Sequence, residues 1–391
     1  MRSAALAAPP VALSRPGLLF AGLGLAGLAL PFVQFRANRI VAGEGIGLPG
    51  ALGPQDWIVA ALLLAVLAGT VARTPPRLSL LAALAGALVV ILAAGLAARA
   101  LVPEGDRLAR VSLGAGFWLL LLAFALAIAD ALARLRPSLS LRWLLLAGTI
   151  AAGALLLGSG VLDELSVMRE YNARHEQFWR EAGRHLTLAF GSLGAALAVG
   201  LPLGILIYEA PRGRNAVLGV LNVVQTIPSL ALFGIMIPLF GWVAANVPGA
   251  AQAGIAGIGA FPALVALFLY SLLPVVSNMV VGLNGVPAPV REAAAGLGMT
   301  RAQALAQVLI PLTLPVVIAA VRIVLVQNIG LAVIAGLIGG GGFGSFVFQG
   351  LNQTAMDLVL LGAIPTIALA LISGIALDLL LAGLDPRKAR A

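Results

Sequence analysis

The chain lacks cysteine in all of its 391 residues. That excludes disulfides, thiolate metal centres and cysteine nucleophiles, and it leaves the redox compartment unread. Histidine is nearly absent too. His175 and His185 do not have the i, i+4 spacing of a helical metal pair, so both read as solvated outer-face residues and no metal site is expected. There is a single lysine, Lys388, followed by Ala389. A phosphate-binding P-loop needs Gly-Lys-Ser/Thr, because the lysine neutralises phosphate and the hydroxyl holds magnesium. The glycine run from Gly339 to Gly344 is therefore not a P-loop, and no bound cofactor is expected. No Ser–His–Asp or paired-carboxylate arrangement is visible either, so the chain does not read as an enzyme. Charge is scarce at 10%, against about 25% in soluble domains.

What is present is apolar. Hydrophobic residues make up 61% and mean hydropathy is +1.06, which marks an integral membrane protein. The net charge of +9 comes from arginines placed between apolar runs, so it reads as topology and not as a nucleic-acid surface. Stretches of about 20 apolar residues can cross a bilayer. They are read at 17–35, 57–72, 79–98, 111–132, 143–161, 186–208, 216–241, 256–283, 312–337 and 357–381. The expectation is an all-α, polytopic helical membrane protein of about ten transmembrane helices. Arg2, Arg15, Arg73, Arg77, Arg134, Arg136, Arg142, Arg212, Arg214, Arg291, Arg301, Arg387, Lys388 and Arg390 then fall on one side, taken as cytoplasmic together with both termini.

The polar interval 163–184 divides the chain and reads as an amphipathic helix on the outer surface. Residues 1–162 alternate plain Leu/Ala/Gly spans with arginine-bearing loops. Beyond the interval, prolines, amides and hydroxyls enter the spans, where hydrocarbon makes them costly unless a cavity or pathway needs them. Function is expected there. Asn222, Gln225, Thr226, Pro228 and Ser229 fall in one span, and Tyr270, Ser271, Pro274, Ser277 and Asn278 in the next. A kink with self-satisfied hydroxyls and a face toward a solute both remain open for the first group. Tyr270 reads as an ordinary packed ring. Arg322 sits mid-span, followed by Gln327 and Asn328, and no acid is expected at its depth, which leaves carbonyls, amides or water as partners. The Gly339–Gly344 run reads as a hinge near the outer mouth or as a tight turn for close helix approach.

One polar island between apolar segments stands out, the loop 287–311. Pro289 suits a first helical turn, Glu292 the positive end of a helix, and Gly298 a left-handed stop. Thr300 with Gln303 reads as a capping box opening a second helix that Pro311 closes. Two short helices bent about a glycine form a shape that transmits force.

The residues Glu292-Ala293-Ala294, then Gly298, Val308, Ile310 and Pro311, closely resemble the EAA signature of permease subunits in bacterial ABC importers. Valine and isoleucine replace the family's usual isoleucine and leucine before the proline. Gln225–Leu232, Leu269–Pro274 and Leu337–Gly344 resemble the osmoprotectant branch, which imports glycine betaine, choline or carnitine. The resemblance implies a five-helix permease domain over 185–383, a basic cytoplasmic tail at 384–391, and an N-terminal membrane extension over 1–162 whose role it leaves unread. It implies a cell inner membrane location, a separate ABC ATPase carrying ATP and magnesium, an extracytoplasmic solute-binding protein, and a second permease copy as homodimer or related heterodimer. Arg291, Glu292, Ala293, Ala294, Gly298, Thr300, Ile310 and Pro311 would couple to the ATPase. Asn222, Gln225, Thr226, Pro228, Ser229, Tyr270, Asn278, Arg322, Gln327 and Asn328 would line the path. An importer of amino acids such as methionine on the same scaffold remains an alternative. An ion-driven carrier fits less well, since the acids nearest a span interior are Asp130 and Asp378, both toward cytoplasmic ends.

Overall fold

The structure, a computed structural model, describes residues 14–384 apart from 39, 40, 54, 55, 73, 104 and 107. The arginines at 2, 39, 73 and 107, Glu104 and the tail beyond 384 lie outside the described residues. The chain divides into two compact units, Met1–Asn172 and Ala173–Ala391.

Unit 1 holds the helices α1 (Arg15–Ala29), α2 (Leu48–Ala51), α3 (Asp56–Val71), α4 (Pro76–Leu101), α5 (Ala115–Leu135) and α6 (Leu139–Gly158); α7 (Ser166–Ala173) closes it. Phe32, Leu63, Leu67, Val90, Phe117, Leu120 and Phe124 form its core. Alanine and glycine permit that packing: a Cβ on Gly86 would lie 2.4 Å from the Phe124 ring. α6, by contrast, has no buried residue. Three strands join the helices, β1 (Val33–Arg36), β2 (Glu44–Ile46) and β3 (Arg110–Leu113), antiparallel in the order β2-β1-β3. They correct two expected span ends. The first helix stops at Ala29, before Pro31, and the run expected to open a helix at 111 is instead a strand, with the helix starting after Gly114.

Unit 2 comprises α8 (His175–Glu209), α9 (Pro211–Thr226), α10 (Ser229–Asn246), α11 (Ala260–Asn284), α12 (Ala288–Gly296), α13 (Arg301–Ala304), α14 (Ile310–Leu331), α15 (Gly344–Asn352) and α16 (Met356–Leu384). α8 has 35 residues, roughly 52 Å at 1.5 Å per residue. Its first turns therefore project beyond a hydrocarbon layer of about 30 Å. The interval expected as a separate surface helix is thus partly α7 and partly the head of this long span. The run expected as one span over 216–241 is two helices, because Ile227 and Pro228 are both extended (ψ 125° and 138°).

Eight helices among the described residues are long and apolar enough to cross a membrane, while α1 and most of α3 form shorter apolar helices. Trp57, Trp118, Trp143, Trp179 and Trp242 are all exposed, each a few residues from a helix end, where amphipathic rings settle at a membrane–water boundary.

Candidate functional site

The polar island folds into a bent pair of helices. Pro287 caps α12 and Pro289 occupies its first turn, where a missing N–H is harmless. After Gly296 the chain reverses: the amides of Leu297, Gly298 and Met299 reach back to the carbonyls of Ala293, Ala295 and Ala294 at 3.0, 3.0 and 3.2 Å. Gly298 takes φ +75°, the left-handed stop expected of it. The Thr300 hydroxyl accepts from the Gln303 amide at 3.3 Å, and the Gln303 side chain accepts from the Thr300 amide at 2.8 Å, which completes the capping box.

Two details differ from the sequence expectation. α12 starts at Ala288, so Glu292 lies beyond its first turn, where the helix dipole has little hold on it. Glu292 is an exposed surface charge and not a helix-end stabiliser. Nor does Pro311 close the second helix. Leu305–Leu309 form a π turn in which the Ile310 amide bonds the Leu305 carbonyl, and the helix runs on as α14 with Pro311 in its first turn. The wider turn accommodates the residue that lacks an N–H.

The base of this knuckle is apolar. Met279, Leu283, Val286 and Leu309 are buried, with Tyr208, Val290, Leu305 and Ile310 against them. Ala294 also turns inward, at 4% exposed. Arg291, Glu292, Ala293, Gly298 and Thr300 face outward. So does Leu297, 82% exposed, which the sequence reading missed. Its signal was an apolar residue beside the stop glycine of a polar island.

The break between α9 and α10 is tied to α11. Pro274 has no N–H for the Tyr270 carbonyl one turn earlier, and the Gln225 side-chain amide donates to that carbonyl at 2.6 Å. In return the Tyr270 hydroxyl donates to the carbonyl of Ile227, at the break itself. Tyr270 is buried and holds the kink. On α9, Asn222 and Thr226 share an exposed face with Asn215 and Gly219, at i, i+4, i+7 and i+11. Pro228 is exposed below them and Ser229 is half-buried. Asn278 donates to the Pro274 carbonyl at 2.8 Å.

Asn328 does not line a surface of the chain. It is fully buried and its amide bonds Ser192 and Ser271, each at 2.9 Å, joining α8, α11 and α14. Gln327 is half-buried beside it. Arg322, expected to find no acid, pairs with Asp378 of α16, Nη1 to Oδ1 2.5 Å. α16 runs antiparallel to α14 and is long enough to bring a near-terminal acid level with a mid-helix arginine.

Beside the first turns of α8, Gly339, Gly341 and Gly342 take φ of +73°, +79° and +80°. Glu181 of α8, only 6% exposed, accepts from the Gly342 amide at 2.7 Å. A Cβ on Gly341 would fall 2.6 Å from Arg184, and one on Gly344 1.8 Å from the Val333 carbonyl. The run is a tight turn that permits close approach. His185 lies fully buried against Phe343, ring centroids 4.9 Å apart, and is not the solvated residue expected. No group of three or more potential metal ligands occurs among the described residues.

Residues 196–390 match the model of the binding-protein-dependent transport system inner membrane component. The carnitine transport permease protein OpuCB of Listeria monocytogenes is 38% identical over 53% of this chain and 88% of its own length. This chain is a permease of that family. Residues 14–168 match a separate model, the N-terminal domain of the ABC transporter permease YehY. Two further relatives of the permease part are the osmoprotectant import permease protein OsmW of Salmonella typhimurium, 39% identical over 53% of this chain and 91% of its own length, and the choline transport system permease protein OpuBB of Bacillus subtilis, 35% identical over 48% and 79%. As a permease of an ABC importer, the chain is a multi-pass membrane component of a transport system.

Proposed function

We propose that this permease carries a small osmoprotectant, such as glycine betaine, choline or carnitine, inward across the cell inner membrane, driven by a separate ATPase. The bent knuckle of α12 and α13 carries the reading. It sets an exposed acid and an exposed leucine on a rigid apolar base, the form an anchor for a partner takes. The relatives named for osmoprotectant, carnitine and choline transport support the solute class. Arg291, Glu292, Ala293, Leu297, Gly298 and Thr300 dock the ATPase, which holds ATP and magnesium; the permease itself binds neither. Ala294, Ile310 and Pro311 set the knuckle's base.

ATP-driven closure of two ATPases pushes the knuckles and reorients the spans. Solute arrives from an extracytoplasmic binding protein and passes a homodimer or related heterodimer, with both termini in the cytoplasm and lipid around the outer faces. Asn222, Gln225, Thr226, Pro228, Ser229, Asn278 and Gln327 belong to the path or its supports. The broken α9–α10 element gives that path irregular backbone, held by Tyr270. The test is uptake by vesicles holding the full chain, its ATPase and its solute-binding protein. ATP-dependent accumulation of glycine betaine or choline is expected. Accumulation of methionine in place of either, or uptake that needs only an ion gradient, would overturn the reading.

A further inference from the structure

Arg322 and Asp378 touch at 2.5 Å, yet their side chains stay 40% and 39% exposed on the surface of the chain. Both belong to helices long and apolar enough to cross a membrane, and their exposed neighbours Ile323, Val326, Leu371 and Ile375 are all apolar. Hydrocarbon does not tolerate open charges, which face protein or a water-filled cavity instead. The neutral Asn328 tie on the same helix is, by contrast, fully buried.

We infer that Arg322 and Asp378 form a charge-paired station on the solute path, one that favours solutes carrying both a cationic and an anionic group. The inference rests on the importer reading and adds the substrate class. A guanidinium offers a planar fork of donors to a carboxylate. A carboxylate offers a quaternary ammonium a counter-charge that needs no hydrogen bond. A betaine or carnitine therefore exchanges the internal pair for two external ones, and neither charge is left bare at any stage. Choline answers Asp378 alone and leaves Arg322 without its acid. Re-formation of the internal pair behind the solute keeps occupancy brief, as a path requires.

No native cysteine of this chain competes for the label. In the full transporter, Ile375→Cys is exposed to a charged, water-soluble methanethiosulfonate. Labelling that glycine betaine slows is expected; an unlabelled position means that lipid or a second copy covers this face, which overturns the inference. Uptake of radiolabelled glycine betaine and choline is then compared per inserted molecule. Arg322→Gln should lower the betaine-to-choline ratio, and Asp378→Asn should raise it, each by about tenfold, the weight of one charged hydrogen bond. Equal losses for both solutes in both variants mark a structural tie and overturn it. So does failure of both single variants to insert while the reversed pair Arg322→Asp with Asp378→Arg inserts, and so does a wild type that imports choline alone. A wild type that imports neither solute removes the importer reading as well, and is told apart by that result.

Discussion

The two units spend their polar groups differently. In unit 1 the side-chain ties between elements lie at helix ends and in loops. Arg134 reaches Asp130 at 2.8 Å, the Thr74 carbonyl at 3.1 Å and the Ser79 hydroxyl at 3.1 Å, while Arg169 holds the Ala109 carbonyl at 2.8 Å. In unit 2 the ties lie inside the spans: Gln225 with Tyr270, Asn328 with Ser192 and Ser271, Arg322 with Asp378. Proline follows the same division. Pro202, Pro238, Pro274, Pro315 and Pro365 sit within α8, α10, α11, α14 and α16, whereas the long helices of unit 1 have none in their interiors. Each internal proline frees a carbonyl that a neighbour must answer. Unit 1 is built as a set of uninterrupted rods; unit 2 is built as proline-bearing helices, and at Pro274 the freed carbonyl is answered by Gln225 of a neighbouring helix.

That contrast can be broken experimentally. The largest effect belongs to the knuckle. Gly298→Val places a β-branched residue at φ +75°, a strain of about 1–2 kcal/mol, and it should abolish uptake while membrane insertion persists. Glu292→Ala should do the same without strain, since Glu292 has no capping role to lose. Leu297→Asp removes the apolar tip, and pull-down should show ATPase association weakened by about 2 kcal/mol or more. Next come the internal ties. Tyr270→Phe leaves the Ile227 carbonyl without its donor and should lower thermal stability in detergent by about 0.6–1.7 kcal/mol, with uptake falling in step. The smallest effect is expected in unit 1. Arg134→Ala removes a half-exposed pair worth less than about 1 kcal/mol, so uptake should be unchanged. A transport defect there as severe as that of Tyr270→Phe would erase the distinction between the units.

Local signals in the sequence were strong where one residue type decides the geometry. The glycine stop at Gly298, the Thr300–Gln303 box and the apolar runs behind the helices all read directly. What escaped depends on elements remote in sequence. Asp378 looked terminal because its depth is set by the length of α16 against α14. His185 looked solvated because the glycine turn that packs on it returns from far along the chain, where the same turn also engages Glu181. The break at Ile227 was legible as a proline, but its bridge needed α11 alongside, since the carbonyl that Gln225 answers is orphaned by a proline on another helix. The three-stranded sheet of unit 1 pairs runs too short, and too far apart in sequence, to announce themselves against long helices.

The most direct measurement uses the chain's freedom from cysteine once more. With Ala293→Cys as the sole thiol, a short crosslinker in inside-out vesicles should join this permease to its ATPase, and the yield should change when ATP binds. A thiol that reacts only from the outer face, or that captures no nucleotide-hydrolysing subunit in an actively transporting vesicle, would contradict the account.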